Sequence, residues 1–162
     1  MERPLAPYEN LFREKGISWS LENGVLTLDG GRGYDRLALD PGEYFLPGDV
    51  SSQFITGLLF VLPLLDGDSS LVLTSPLESQ GYVDITLDVL NKFGVTVEPR
   101  EDGFHIPGSQ KYRARDLAVE ADWSQAAFWY AANHLGGRVD VCGLDPASRQ
   151  GDQEIAAYCR RS

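Results

Sequence analysis

Gly48-Asp49-Val50-Ser51-Ser52-Gln53-Phe54 returns, altered, as Ala121-Asp122-Trp123-Ser124-Gln125-Ala126-Ala127-Phe128. Aligned without gaps, Asp49 falls on Asp122 and Ser51 on Ser124 at one constant offset. Each copy follows a short extended run and opens an apolar run with helical spacing. The decoration is unequal. The first copy carries three adjacent polar side chains, Ser51, Ser52 and Gln53, where the second has Ser124, Gln125 and Ala126. A repeated scaffold with unequal polarity predicts that the first copy binds a ligand and the second mainly holds shape.

Working outward, Leu11-Phe12-Arg13-Glu14-Lys15-Gly16-Ile17 matches Val89-Leu90-Asn91-Lys92-Phe93-Gly94-Val95 at a similar offset. Both lead into a short strand, a turn centred on Gly24 or Gly103, and then Val25-Leu26-Thr27-Leu28 or Phe104-His105-Ile106. Ser148-Arg149-Gln150-Gly151 follows Glu78-Ser79-Gln80-Gly81 at nearly the same spacing. A period of roughly 70 is longer than the common solenoid repeats, so the repeating element is a small domain-sized unit.

The middle copy parses completely. Tyr44 to Leu46 reads as a strand and Ser51 to Leu65 as a buried helix, with Asp49 or Ser51 as N-cap. Ser70 to Thr74 reads as a strand. Tyr82 to Phe93 is a helix with Ile85, Leu87, Val89, Leu90 and Phe93 towards one side, stopped by Gly94. Val95 to Glu98 and Phe104 to Ile106 form a hairpin around Glu101-Asp102-Gly103. The fold class expected is α/β, built from repeated β-α-β-α-β-β units. Residues 1–33 are the end of repeat one, 34–110 a complete repeat two, and 111–162 the start of repeat three. Repeat three is expected to supply a strand at Asp116 to Val119, a helix at Trp123 to Leu135, a strand at Arg138 to Cys142 and a helix from Gln150 to Arg161. The chain thus reads as cut inside a unit at both ends.

Composition bounds the function. A hydrophobic content of 43% over 162 residues supports a real core. The longest apolar run, Ile55 to Leu65, is interrupted by Gly57 and Pro63 and is too short to span a bilayer. The opening Met1-Glu2-Arg3-Pro4 has no secretion-signal character, so a cytoplasmic protein without a membrane partner is expected. Cys142 and Cys159 form neither a disulfide framework nor a zinc spacing. A net charge of −10 argues against nucleic acid as partner, because phosphate-backbone binding needs clustered Lys and Arg. It reads as a solubility feature and leaves room for a local anion site.

Parallel β-α-β units bring helix amino termini to one sheet edge, where ligands bind. A helix start presents unpaired N–H groups and partial positive charge. Ser51 and Ser52 add hydroxyls there and Gln53 an amide that donates and accepts, a set suited to a phosphate with a neighbouring hydroxyl or carboxylate. The competing reading is plain capping by Ser51 with solvated neighbours. Ser79 and Tyr82 sit at the next helix start on the same edge, where the bland roles are an N-cap and a surface aromatic. Arg3 aligns with Gly81 and so falls at a third helix start. It suits bidentate capture of a carboxylate or phosphate, or is a solvated Arg before Pro4. Arg149 and Asp152 read as structural or peripheral. His105 and His134 lack ligand-spaced partners, Asp66-Gly67-Asp68 is a turn and not a calcium loop, and no Walker loop, dinucleotide fingerprint or Ser-His-Asp set occurs. No metal and no cofactor are expected.

The opening heptad, followed by Glu78-Ser79-Gln80-Gly81-Tyr82-Val83-Asp84-Ile85-Thr86, resembles the 3-phosphoshikimate 1-carboxyvinyltransferase (EPSP synthase) family. Val119 to Phe128, Gln150-Gly151-Asp152 and Arg3-Pro4 match further blocks in order. The likeness covers essentially the whole chain but only the middle third or so of the usual enzyme. It implies an inside-out α/β barrel lobe of three β-α-β-α-β-β units, here truncated at both ends. It further implies shikimate 3-phosphate on Ser51, Ser52, Gln53, Ser79 and Tyr82, and phosphoenolpyruvate on Arg3 and Gln53. The whole enzyme would be a monomer. The chain departs from the family in having Gln80-Gly81 where Lys-Pro is usual. The family's acid/base carboxylates and Lys-Ser-x-x-x-Arg loop have no match in this sequence, so this chain alone is expected to be inactive. Alternatives are the related UDP-N-acetylglucosamine enolpyruvyl transferase family, or a non-catalytic ligand-binding or scaffold module.

Overall fold

The computed structural model describes residues 5–31 and 39–161. They divide between two compact units, Met1–Arg113 and Ala114–Ser162. Arg3 lies outside the described residues.

The first unit opens with α1 (Ala6–Glu14), which has Pro7 in its first turn and buries Leu11. Proline is tolerated there because its missing N–H would have no helical partner. Strands β1 (Ser18–Glu22) and β2 (Val25–Asp29) pair antiparallel with Glu22 opposite Val25. Asn23 and Gly24 between them have φ of 51° and 78°, the positive values a two-residue type I′ turn requires.

The chain then forms β3 (Glu43–Leu46), α2 (Ser52–Val61), β4 (Ser69–Leu73), α3 (Gln80–Lys92), β5 (Glu98–Arg100) and β6 (Gly103–Ile106). This is the expected β-α-β-α-β-β order. The sheet order is β3-β4-β6-β5; β3 and β4 run parallel, and β6 is antiparallel to both neighbours. Along β3, Tyr44 and Leu46 are buried and alternate with exposed Glu43 and Phe45, the period-two pattern of a half-buried strand. Helix α2 buries Phe54, Ile55, Leu58 and Leu59, and α3 buries Val83, Thr86 and Leu90. These faces meet Leu71 and Ile106 in one core. Burying each such leucine contributes about 1.5–3 kcal/mol.

Within the first unit several boundaries differ from expectation. The α-helix ends at Val61 and continues as a 3₁₀ turn, Leu62–Leu64, because Pro63 has no N–H for the helical ladder. Helix α3 begins at Gln80, ahead of the expected Tyr82. Strand β5 begins at Glu98 where Val95 was expected. The Val95 N–H is bonded to the Leu90 carbonyl at 2.9 Å, and the Gln110 side chain takes both the Thr96 N–H and C=O at 2.8 Å.

The second unit contains α4 (Trp123–His134), a 3₁₀ turn (Gly151–Glu154) and α5 (Ile155–Arg161). Trp123, Ala126 and Ala156 form its small core. The strands expected at Asp116 to Val119 and Arg138 to Cys142 are not formed; among the described residues of this unit there is no strand. In the first unit β4 is held on both sides, by β3 and β6. The second unit has no described hairpin equivalent to β5–β6 to flank them. Just past these segments, the Ala121 N–H donates to the Gly143 carbonyl at 3.4 Å.

Candidate functional site

The site grows from the carboxyl ends of β3 and β4. Past the last ladder pair, Leu46 with Leu73, the Thr74 N–H donates to the Leu46 carbonyl at 2.9 Å. The Glu78 N–H donates to the Gly48 carbonyl at 3.3 Å. Ser75 joins the two loops: its Oγ accepts from the Gly48 N–H at 2.9 Å and donates to Asp49 Oδ1 at 2.6 Å. The approach is so close that a Cβ on Gly48 would lie 2.6 Å from the Ser75 carbonyl oxygen. Glycine is therefore required by space. These bonds hold the starts of α2 and α3 side by side.

Ser51 is the N-cap of α2, extended at φ −168° and ψ 128°, with its Oγ accepting from the Gln53 N–H at 3.3 Å. Of the two candidates, Asp49 is thus not the cap; its carboxylate is turned to Ser75. Ser79 occupies the N-cap position of α3 but makes no side-chain cap bond. The hydroxyls of Ser52 and Ser79 have no hydrogen-bond partner among the described residues. Neither helix has an acidic residue in its first turn, so no side chain inside either turn neutralises the positive dipole end.

Between the helices lies an open groove of about 740 Å³. Ser51, Ser52, Gln53, Ser79 and Tyr82 all line it. Five of the six residues expected from sequence therefore come together, and Arg3 lies outside the described residues. Tyr82 is 59% exposed, an aromatic side chain left open to solvent in the groove lining. A separate cavity of about 310 Å³ lies between Leu73, Ser75, Leu77, Gln80 and the β5–β6 turn, and none of the five lines it.

The groove also contains residues that sequence reasoning missed. Thr56 and Phe60 continue the Ser52 stripe at one-turn intervals, and Ile85 and Thr86 follow Tyr82 on α3. Their signal was the i, i+3 and i, i+4 spacing along the helices from Ser52 and Tyr82. Beneath the α2 start, Tyr8 Oη donates to the Phe54 carbonyl at 2.7 Å. Burial pushes the Tyr8 phenol up to about 12, so it stays a neutral donor. Among the described residues no group of three His, Cys, Asp or Glu side chains is placed to hold a metal, and no helix is long and apolar enough to cross a membrane.

The family model for EPSP synthase (3-phosphoshikimate 1-carboxyvinyltransferase) matches residues 1–161. This chain belongs to the EPSP synthase family. Among curated relatives, the 3-phosphoshikimate 1-carboxyvinyltransferase of Clostridium novyi (strain NT) is 46% identical over 158 residues, covering 96% of this chain and 35% of that protein. The Clostridium kluyveri protein of the same name is 47% identical over 160 residues, with the same coverages. The chain therefore spans about a third of the length of these EPSP synthase relatives. Solved structures of EPSP synthase from Acinetobacter baumannii superpose with a TM-score of 0.58 at 23% and 24% identity, covering 80% and 81% of this chain and 28% of theirs. At that identity they establish the mixed α/β fold. The names of the curated relatives favour the EPSP synthase family over the UDP-N-acetylglucosamine family weighed from sequence.

Proposed function

We propose that this chain supplies the shikimate 3-phosphate platform and part of the phosphoenolpyruvate site of a 3-phosphoshikimate 1-carboxyvinyltransferase. The observation that carries the reading is the groove in which Ser51, Ser52 and Ser79 share one edge at two adjacent helix starts. Backbone N–H groups and hydroxyls there favour a dianionic phosphate. Gln53 serves both substrates, Tyr82 packs against the shikimate ring, and Arg3 holds phosphoenolpyruvate. Residues 1–33, 34–110 and 111–162 belong to three successive repeats of one lobe.

In the whole protein, the 5-hydroxyl oxygen of shikimate 3-phosphate bonds to C2 of phosphoenolpyruvate, giving up its proton to a base, while C3 takes up a proton from an acid. The tetrahedral adduct then loses a proton from C3 as the C2–O bond to phosphate breaks, which expels phosphate and forms the enol ether. This chain's share is positioning and anion stabilisation, which lower a bimolecular barrier by fixing the reacting groups together. No metal or cofactor is required by this scheme. The acidic surface fits a cytoplasmic protein with small-molecule partners, without nucleic acid or membrane, and the whole enzyme acts as a monomer.

Calorimetric titration of this chain with shikimate 3-phosphate and with unphosphorylated shikimate tests the reading. Loss of the charge-assisted contacts predicts binding of shikimate at least about tenfold weaker. Equal affinities would remove the helix-start anion site. In a phosphate-release assay with both substrates, the chain alone is expected to show no turnover, and measurable turnover would contradict the assignment of only a binding share.

A further inference from the structure

The two helix starts are tied at two levels. Above, at the sheet edge, the tie is the Asp49–Ser75–Gly48 bridge together with the Glu78 N–H to Gly48 carbonyl bond. One turn down, Thr56 Oγ1 on α2 lies 3.0 Å from Thr86 Oγ1 on α3, and Thr86 Oγ1 lies 3.0 Å from the Tyr82 carbonyl oxygen. Thr86 is only 7% exposed. It is the one polar side chain in the buried face of α3, beside Val83 and Leu90.

Counting protons gives this pair a direction. A carbonyl only accepts. For both 3.0 Å contacts to be hydrogen bonds, Thr86 must donate to Tyr82 and Thr56 must donate to Thr86. The reverse order would set two lone-pair-bearing oxygens against each other at Thr86 and Tyr82. The chain of bonds therefore runs from α2 to the residue in α3 that lines the groove with Ser79. Thr56 is one turn from Ser52, and Thr86 is one turn from Tyr82.

We infer that Thr56 and Thr86 are a positioning pair that fixes the separation of the Ser51–Gln53 and Ser79–Tyr82 helix starts. The inference rests on the reading of the groove as the shikimate 3-phosphate site. Neither threonine is a catalytic residue; each acts through the serines at its own helix start. The proton order makes the two positions unequal. Valine at 86 removes the Tyr82 bond and leaves the Thr56 hydroxyl without its acceptor. Valine at 56 removes only the cross-helix bond.

The test compares Thr86→Val, Thr86→Ser, Thr56→Val and wild type by amide ¹H–¹⁵N spectra, first without ligand and then during titration with shikimate 3-phosphate. Without ligand, Thr86→Val and Thr56→Val should each move the amides of both helix starts, 51–53 and 79–82. Thr86→Ser, which keeps the hydroxyl, should restore the wild-type pattern. Affinity should fall about three- to tenfold in Thr86→Val, as the two helix starts lose their fixed separation, and recover in Thr86→Ser. Shifts confined to the mutated helix, or affinities unchanged in both valine variants, would overturn the pair. If Thr86→Val fails to fold, Thr56→Val decides by the same criteria, since it leaves the buried Thr86–Tyr82 bond intact. A wild-type protein whose amides do not respond to shikimate 3-phosphate would overturn the groove assignment instead, and the ligand-free spectra would still decide whether the pair ties the helices.

Discussion

Helices α2 and α4 begin with related sequences and are capped by different groups, a neutral hydroxyl and a carboxylate. At α4 the cap is a carboxylate: Asp122 accepts from the Ser124 N–H at 2.8 Å and the Gln125 N–H at 3.4 Å. Gln150 accepts from the Trp123 N–H at 2.9 Å, and the Ser124 hydroxyl is bonded to Asp152. The positive end of that helix is satisfied from within the chain. At α2 the equivalent aspartate, Asp49, is drawn to Ser75, and the cap is the neutral Ser51 hydroxyl. The Ser52 hydroxyl is left without a described partner. One aspartate turned aside thus leaves the α2 start with a neutral cap where the α4 start has a carboxylate, the difference on which the proposed anion site rests.

The largest test of this contrast strikes the support beneath α2. Leu59 is fully buried, and Leu59→Ala should destabilise the first unit by about 2–5 kcal/mol, read as a lower midpoint in urea unfolding. A midpoint unchanged from wild type would mean α2 is not anchored by its apolar face. Next, Gln150→Ala leaves the Trp123 N–H and the Ala121 carbonyl without their partner. A cost of about 1–3 kcal/mol is expected for the second unit, followed by Trp123 fluorescence, with no loss of shikimate 3-phosphate affinity. Weakened binding there would erase the distinction between the two helix starts.

Smaller in effect is the pH response of Tyr8. Its pKa is raised from 10 to about 12 by burial, so the folded state favours the neutral phenol. That stability is fully present below pH 10 and is lost as pH rises towards 12. Tyr8→Phe should therefore flatten the alkaline limb of a thermal-unfolding profile while removing the bond to the Phe54 carbonyl, worth about 1 kcal/mol. An unchanged alkaline limb would place the loss elsewhere.

What could be read from sequence and what could not separate along physical lines. The β-α-β-α-β-β order, the Ser51 cap and the placement of Ser51, Ser52 and Gln53 and of Ser79 and Tyr82 near two helix starts follow from local periodicity and capping, which are properties of short windows. The strands expected at 116–119 and 138–142 have the right local character. Strand formation is decided by ladder partners, and the described second unit has none for them. The late start of β5 came from one distant side chain, Gln110, occupying Thr96. Thr56 and Thr86 looked like ordinary helix residues until α2 and α3 were placed together. Asp49 and Asp122 are alike in sequence context, and only Ser75, far along the chain from Asp49, tells them apart.

The most direct test of the central claim is calorimetric titration of shikimate 3-phosphate into wild type, Ser52→Ala and Ser124→Ala. Ser52→Ala should bind about three- to tenfold more weakly with an unchanged melting temperature, as expected for loss of one ligand hydrogen bond. Ser124→Ala should keep wild-type affinity and lose about 0.5–1.5 kcal/mol of stability with its Asp152 bond. Equal affinities for wild type and Ser52→Ala, or a weaker affinity only in Ser124→Ala, would contradict the account.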